Sequence, residues 1–178
     1  MVEEARLVPT DSGLVPQGEG WFVVNARKAR WFENEAFGRY CSFEGDVRFA
    51  ELGVNIGVLG PGQPGCMYHG ESNQEDFLVL SGECLLLVEG QERRLGAWDL
   101  FHCPAWTEHV VVGAGEGPCV ILAVGGREPE SEVRYTVAEV ARAHGAGVDE
   151  ETASPKEAYA PYPKDEERPY REGDLPRL

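Results

Sequence analysis

The sequence has no uninterrupted apolar run near the ~20 residues that a bilayer-crossing helix needs, and its first twenty residues hold no positive start followed by an apolar stretch. Neither a membrane span nor a signal peptide is therefore expected. Positive charge is scarce: 16 Lys and Arg face 31 Asp and Glu, for a formal charge of −15. So acidic a surface repels phosphate backbones and anionic lipid, which argues against nucleic acid and membrane as partners. No CxxC pair occurs. The five cysteines, Cys41, Cys66, Cys84, Cys103 and Cys119, are odd in number and widely spaced. This argues against a disulfide framework or a thiolate zinc knot, and for free, half-buried thiols in a reducing cytoplasmic setting. Internal repeats and low-complexity tracts are also missing.

Turn chemistry, by contrast, is plentiful, with 22 Gly and 12 Pro. These residues separate strand-like segments at 21–25, 40–43, 47–59, 66–71, 75–80, 83–89, 93–95, 98–103, 108–112 and 119–124. Val54, Ile56 and Val58 alternate with Gly and Asn, the period of a half-buried strand. The run from Gly60 to Gly65 is a strong turn, and Gly90 and Gln91 close a hairpin. Short strands at roughly ten-residue spacing predict an all-β sandwich or barrel.

Three regions follow. Residues 1–20 read as an arm without its own core, 21–127 as the β-domain, and 128–178 as an extension too poor in apolar residues for a second core. In the extension, Thr136-Val137-Ala138-Glu139 and Ser154-Pro155-Lys156-Glu157 read as capping boxes ahead of short helices. Its Tyr159, Tyr162 and Tyr170 suggest that the tail lies across the barrel or a neighbouring subunit.

Of the four histidines, two sit where chemistry is expected. In an extended segment around Tyr68–Glu71, His69 and Glu71 share a face. Glu75 opens the next strand, and His109 starts another after the Pro104 turn. Imidazole with carboxylate suits borderline divalent cations, and a His-His-carboxylate set leaves positions open for a substrate. His102 reads as structural, and His144 as a cation at a helix C-terminus. Trp98, Trp106, Met67 and Phe77 suit a cavity lining and core packing equally well.

Residues 62–82, GQPGCMYHGESNQEDFLVLSG, resemble the first cupin motif. His69, Glu75 and Gly82 fit its spacing, Gly62 is one residue out of step, and Glu71 replaces the second histidine. Residues 96–109, GAWDLFHCPAWTEH, resemble the second motif, with His109 on the ligand position and Trp106 where Gly is usual. The resemblance spans about residues 47–124. It implies a double-stranded β-helix (jelly-roll barrel) with a short C-terminal helical extension. It also implies one divalent metal ion (Zn, Fe, Mn or Ni) on His69, Glu75 and His109, with Glu71 in the slot of the missing histidine. Glu71 stands as a fourth ligand, a catalytic acid or base, or a rim residue. The expected partners are a small organic ligand and a second copy of the chain, in a homodimer. The expected activity is that of a metal-dependent oxygenase or isomerase, with ligand sensing or a structural cupin with a degenerate site as alternatives.

Overall fold

The computed structural model describes residues 1–176. The chain opens with a hairpin of β1 (Arg6–Thr10) and β2 (Gly13–Gln17), followed by β3 (Arg30–Asn34), β4 (Gly38–Ser42) and β5 (Leu52–Leu59). Next come β6 (Gly70–Glu71), β7 (Glu75–Ser81), β8 (Glu83–Val88), β9 (Gln91–Gly96), β10 (Leu100–Cys103), β11 (His109–Ala114) and β12 (Cys119–Gly126). The extension carries β13 (Val133–Arg134), the helices α1 (Glu139–Ala143) and α2 (Pro155–Ala158), and β14 (Glu166–Arg168).

All strand pairs within the sheets are antiparallel. The large sheet runs β10-β7-β12-β5-β4-β3-β14, and facing it is the smaller sheet β11-β8-β9. The architecture is all-β, a double-stranded β-helix with two small helices. Between the sheets, Leu59, Val79, Cys84, Leu86, Val111, Cys119 and Ile121 form the barrel core.

Strand β11 shows how the site is aimed. Its first five residues, His109 to Gly113, are all buried, so it reads as a continuous apolar run. Alternation divides them. Val110 and Val112 point outward and pack with Tyr68, Leu87 and, from the extension, Ala141 and Ala146, while Val111 and His109 line the interior. The outer face of the large sheet is closed by Ala29, Trp31, Cys41, Val58, Val120 and Leu175.

Several local expectations are corrected. The arm is a hairpin, in which Pro9 and Pro16 are tolerated because β1 and β2 pair only with each other within the sheets. Residues 22–25 are not a strand: Asn25 Oδ1 accepts from Arg27 N at 2.9 Å, a side-chain turn that breaks extension. The strand expected from Val47 begins at Leu52, because Glu44 accepts from Phe49 N at 2.7 Å and holds the preceding segment as a loop. Thr136 does not cap α1; the cap position is Ala138, without a side-chain bond. The bridge from Tyr135 to Thr152 keeps this segment extended up to the helix. Ser154 does cap α2, accepting from Glu157 N. All five cysteines are free thiols. Among the described residues no helix is long and apolar enough to cross a membrane.

The tail returns to the sheet through β14, which pairs with β3 from Glu166 opposite Glu33 to Arg168 opposite Trp31. Arg39 clamps it: Nε lies 2.9 Å from Asp174 and Nη1 3.2 Å from Glu33, and Nη2 donates to Pro169 O at 2.8 Å.

Two glycines offer a stability test. Gly82 has φ +76° at the β7–β8 crossover, and a Cβ there would meet Pro118 O at 2.4 Å. Gly90 has φ +72° but faces open space. Gly90→Ala should cost only the left-handed penalty of about 1 to 2 kcal/mol. Gly82→Ala adds a backbone clash and should cost more than about 3 kcal/mol in urea unfolding. Equal costs would contradict this packing.

Candidate metal centre

Three elements bring the donors together. His69 precedes β6 and forms an antiparallel bridge with His109, the first residue of β11. The bridge is backbone in origin: His69 N donates to His109 O at 3.2 Å, and His109 N to His69 O at 2.8 Å. Glu75 opens β7 on its inward face, followed on that face by Phe77. One ligand atom each of His69, Glu75 and His109 lies within 4.8 Å of the others.

The orientation of the two rings is fixed from behind. His69 Nδ1 lies 2.7 Å from Met67 O, and His109 Nδ1 lies 3.0 Å from Thr107 O. A carbonyl only accepts, so each Nδ1 carries a proton and each Nε2 is directed to the interior. Those Nε2 atoms sit 3.9 Å (His69) and 3.4 Å (His109) from Glu75 Oε2. That oxygen is buried and, among the described residues, has no hydrogen-bond partner. A buried carboxylate oxygen without a donor is costly. A divalent cation between two imidazoles and a carboxylate would satisfy it, so the residues present fit a metal.

Glu71 occupies a different place. Its Oε1 is 3.3 Å from His69 Nε2, and its side chain is 33% exposed, but it lies outside the three-donor group. It is held near His69 by its neighbour across the turn: Trp106 N donates to Glu71 O at 2.6 Å. Trp106 has φ +66°, a left-handed conformation that suits glycine, and Arg134 stacks over its ring at 5.5 Å.

Electrostatics follow from burial. Burial pushes the Glu75 carboxyl up to about 7, the Glu71 charge adding to the rise and His69 opposing it. Burial, followed by the charge of His69, pulls His109 down to about 4. For His69 burial acts downward, but Cys66, Glu71 and Glu75 outweigh it and leave the imidazole well above its ordinary range. The hydrogen bond with His69 holds Glu71 below the usual carboxylate range. Two thiols adjoin the rings: Cys66 Sγ is 3.8 Å from His69 Nδ1, and Cys103 Sγ 3.4 Å from His109 Nδ1.

The donors open into a cavity of about 390 Å³. Its walls include Leu59, Phe77, Val111, Ile121, Tyr135 and Tyr159. An outer vestibule shares Phe37, Tyr40, Tyr159 and Asp165 with it. Of the four residues singled out in the sequence as lining candidates, Phe77 lines the cavity, Met67 is buried, and Trp98 and Trp106 are exposed. Tyr135, Tyr159, Phe37 and Arg39 carried no sequence signal of a site role. His102 pairs with Asp76 at 2.7 Å on the exterior, and His144 ends α1 and reaches Glu92 at 3.0 Å.

Comparisons with known proteins agree with this geometry. Residues 55–125 match the model of the cupin domain family. No protein among the curated sequences matches the chain. Among solved structures, a cupin-superfamily sugar phosphate isomerase from Silicibacter pomeroyi is similar at 27% identity over 49% of this chain and 58% of that one, with a TM-score of 0.46. The chain spans just over half the length of the first structures it matches, 55% and 58%. The polyketide cyclase RemF from Streptomyces resistomycificus is similar at 15% identity, over 62% of this chain and 83% of that one, with a TM-score of 0.52. An RmlC-like cupin with a double-stranded β-helix fold from Methanocaldococcus jannaschii is 16% identical, covers 47% of this chain and 77% of that one, and has a TM-score of 0.43. The barrel and the converging histidines agree with that match, and residues 55–125 form a segment that fits the cupin domain family.

Proposed function

We propose that this chain holds one divalent metal ion on His69, Glu75 and His109 and acts on a small organic molecule in its barrel by isomerase-type proton transfer. The observation that carries the reading is Glu75 Oε2, buried without a donor between two imidazoles whose Nδ1 atoms are committed to carbonyls. When bound, the metal supplies Lewis acidity toward an oxygen of the substrate. The rest is done by the chain. Both imidazoles are pre-oriented, and the Leu59, Val111 and Ile121 wall limits water. Glu71, ionised and half-exposed beside the centre, is positioned to take a proton from a bound substrate. Its place outside the three-donor group favours this role over that of a fourth ligand.

The sign of the pH dependence follows from Glu75. Its pKa in the folded, metal-free chain is about 7, above the ordinary 4.5. The protonated form therefore stabilises the metal-free fold at low pH, and this contribution is lost as pH rises through about 7. A cation pairs with the ionised form and reverses that loss. Metal should thus raise the melting temperature more at pH 8 than at pH 6, and Glu75→Gln should flatten the difference. His109, at about 4, is already neutral across this window.

Elemental analysis of untagged protein should give about one divalent metal per chain, and His109→Ala should abolish it. Equal metal content in the two proteins would refute the site. Glu71→Gln should retain its metal with affinity changed less than about threefold, whereas Glu75→Gln should lose at least about tenfold. A comparable loss in Glu71→Gln would make Glu71 a ligand instead. We also propose a homodimer, supported by the exposed Trp21 and Val23, 53% and 80% accessible. Light scattering at micromolar concentration should give the mass of two chains, and the mass of one would refute it.

A further inference from the structure

The cavity walls bear on which ligand the barrel takes. Aromatic rings form a nearly continuous path from the vestibule to the donors. Phe37 and Tyr159 lie 5.3 Å apart, Tyr159 and Tyr135 5.9 Å, and Tyr135 and His69 5.7 Å. On the far side Phe77 is 5.2 Å from His109. These rings touch one another and together line the cavity, an aromatic surface against which a further ring can pack by offset or edge contact.

Permanent positive charge is nearly absent from the same walls. Among the described residues lining the inner cavity, the lone Arg or Lys is Arg39. It is 6% exposed and already taken by Asp174, Glu33 and Pro169 O. Three carboxylates, Glu71, Glu75 and Asp165, share the cavity. Lys156 and Lys164 line only the outer vestibule, where both are exposed. A phosphate pushed inside would lose its hydration without finding a free guanidinium or ammonium, and beside a metal already offset by Glu75 it would still face the charges of Glu71 and Asp165.

We infer that the inner cavity takes an uncharged aromatic compound bearing a hydroxyl or carbonyl oxygen directed at the His69–Glu75–His109 centre, and excludes phosphorylated ligands. This rests on the metal reading for the direction of the oxygen, but the aromatic walls and the missing cation stand independently of it. The class differs from that in the printed name of the sugar phosphate isomerase from Silicibacter pomeroyi.

A matched pair of probes isolates the charge: 2-naphthol and 2-naphthyl phosphate share one ring system. Calorimetric titration of full-length protein of measured metal content should show 2-naphthol binding at least about tenfold more tightly. Equal or tighter binding of the phosphate would overturn the inference. Binding of neither probe by metal-containing protein would overturn it too, while leaving the metal reading intact. Metal-free protein that still prefers 2-naphthol would sustain the inference and count against the metal reading alone. Tyr159 donates a second test, because its hydroxyl accepts from Met67 N at 3.1 Å while its ring forms wall. Tyr159→Leu should weaken 2-naphthol binding severalfold more than Tyr159→Phe, which loses the same hydrogen bond but keeps the ring. Equal weakening by both would show that the ring is not a contact and would overturn the assignment.

Discussion

A carboxylate oxygen buried between two imidazoles, with no donor to satisfy it, is the constraint on which the interior depends. Glu75 can occupy that place only because β7 and β11 both turn a polar first residue inward and follow it with apolar ones. The backbone bridge from His69 to His109 then fixes the separation of the rings without using either side chain. The carbonyls of Met67 and Thr107 complete the arrangement by holding the outer nitrogens. Main-chain groups thus do the positioning and leave the side-chain nitrogens free, which is the condition for a preorganised centre.

The parts of this design with local causes were legible in the sequence. Apart from the charged β9, strands β7 to β12 are short, largely apolar segments separated by Gly and Pro, and their order follows from those breaks. The spacing of His69, Glu75 and His109 marked the donors, because each stands at or beside a strand start next to a turn. The parts with distant causes were not legible. Arg39 reads as an ordinary surface cation, and only the return of the tail places Asp174 against it and buries both. Strand β14, with the sequence Glu-Glu-Arg, has no apolar pattern at all; it is a strand because β3 offers it an edge. The arm hairpin was obscured by two prolines that an edge strand accommodates.

Trp106 belongs between these cases. Its departure from glycine was visible, but no neighbouring residue in the chain pointed to the compensation. A left-handed tryptophan costs on the order of 1 to 2 kcal/mol relative to glycine. Here its ring lies under the Arg134 guanidinium, and its amide ties down the strand carrying Glu71. The strain is thus coupled to the segment that sets Glu71 beside His69, a place where backbone strain serves the site more than the fold.

The candidate metal donors and the outer part of the cavity wall have different origins in the chain. His69, Glu75 and His109 all fall within residues 55–125, the part matched by the cupin domain model. Phe37, Arg39 and Tyr40 come from before it, and Tyr135, Tyr159 and Asp165 from after it. The flanking segments are held by β14, by the Arg39–Asp174 pair and by the Tyr40 hydroxyl, which donates to Asp165 Oδ2 at 3.0 Å. The segment matched by the cupin domain model therefore carries the candidate donors, and the flanks on either side of it carry part of the cavity wall. Selectivity can change through the tail without disturbing a donor, and for this reason the walls, more than the names of structural neighbours, are the sound basis for assigning the ligand.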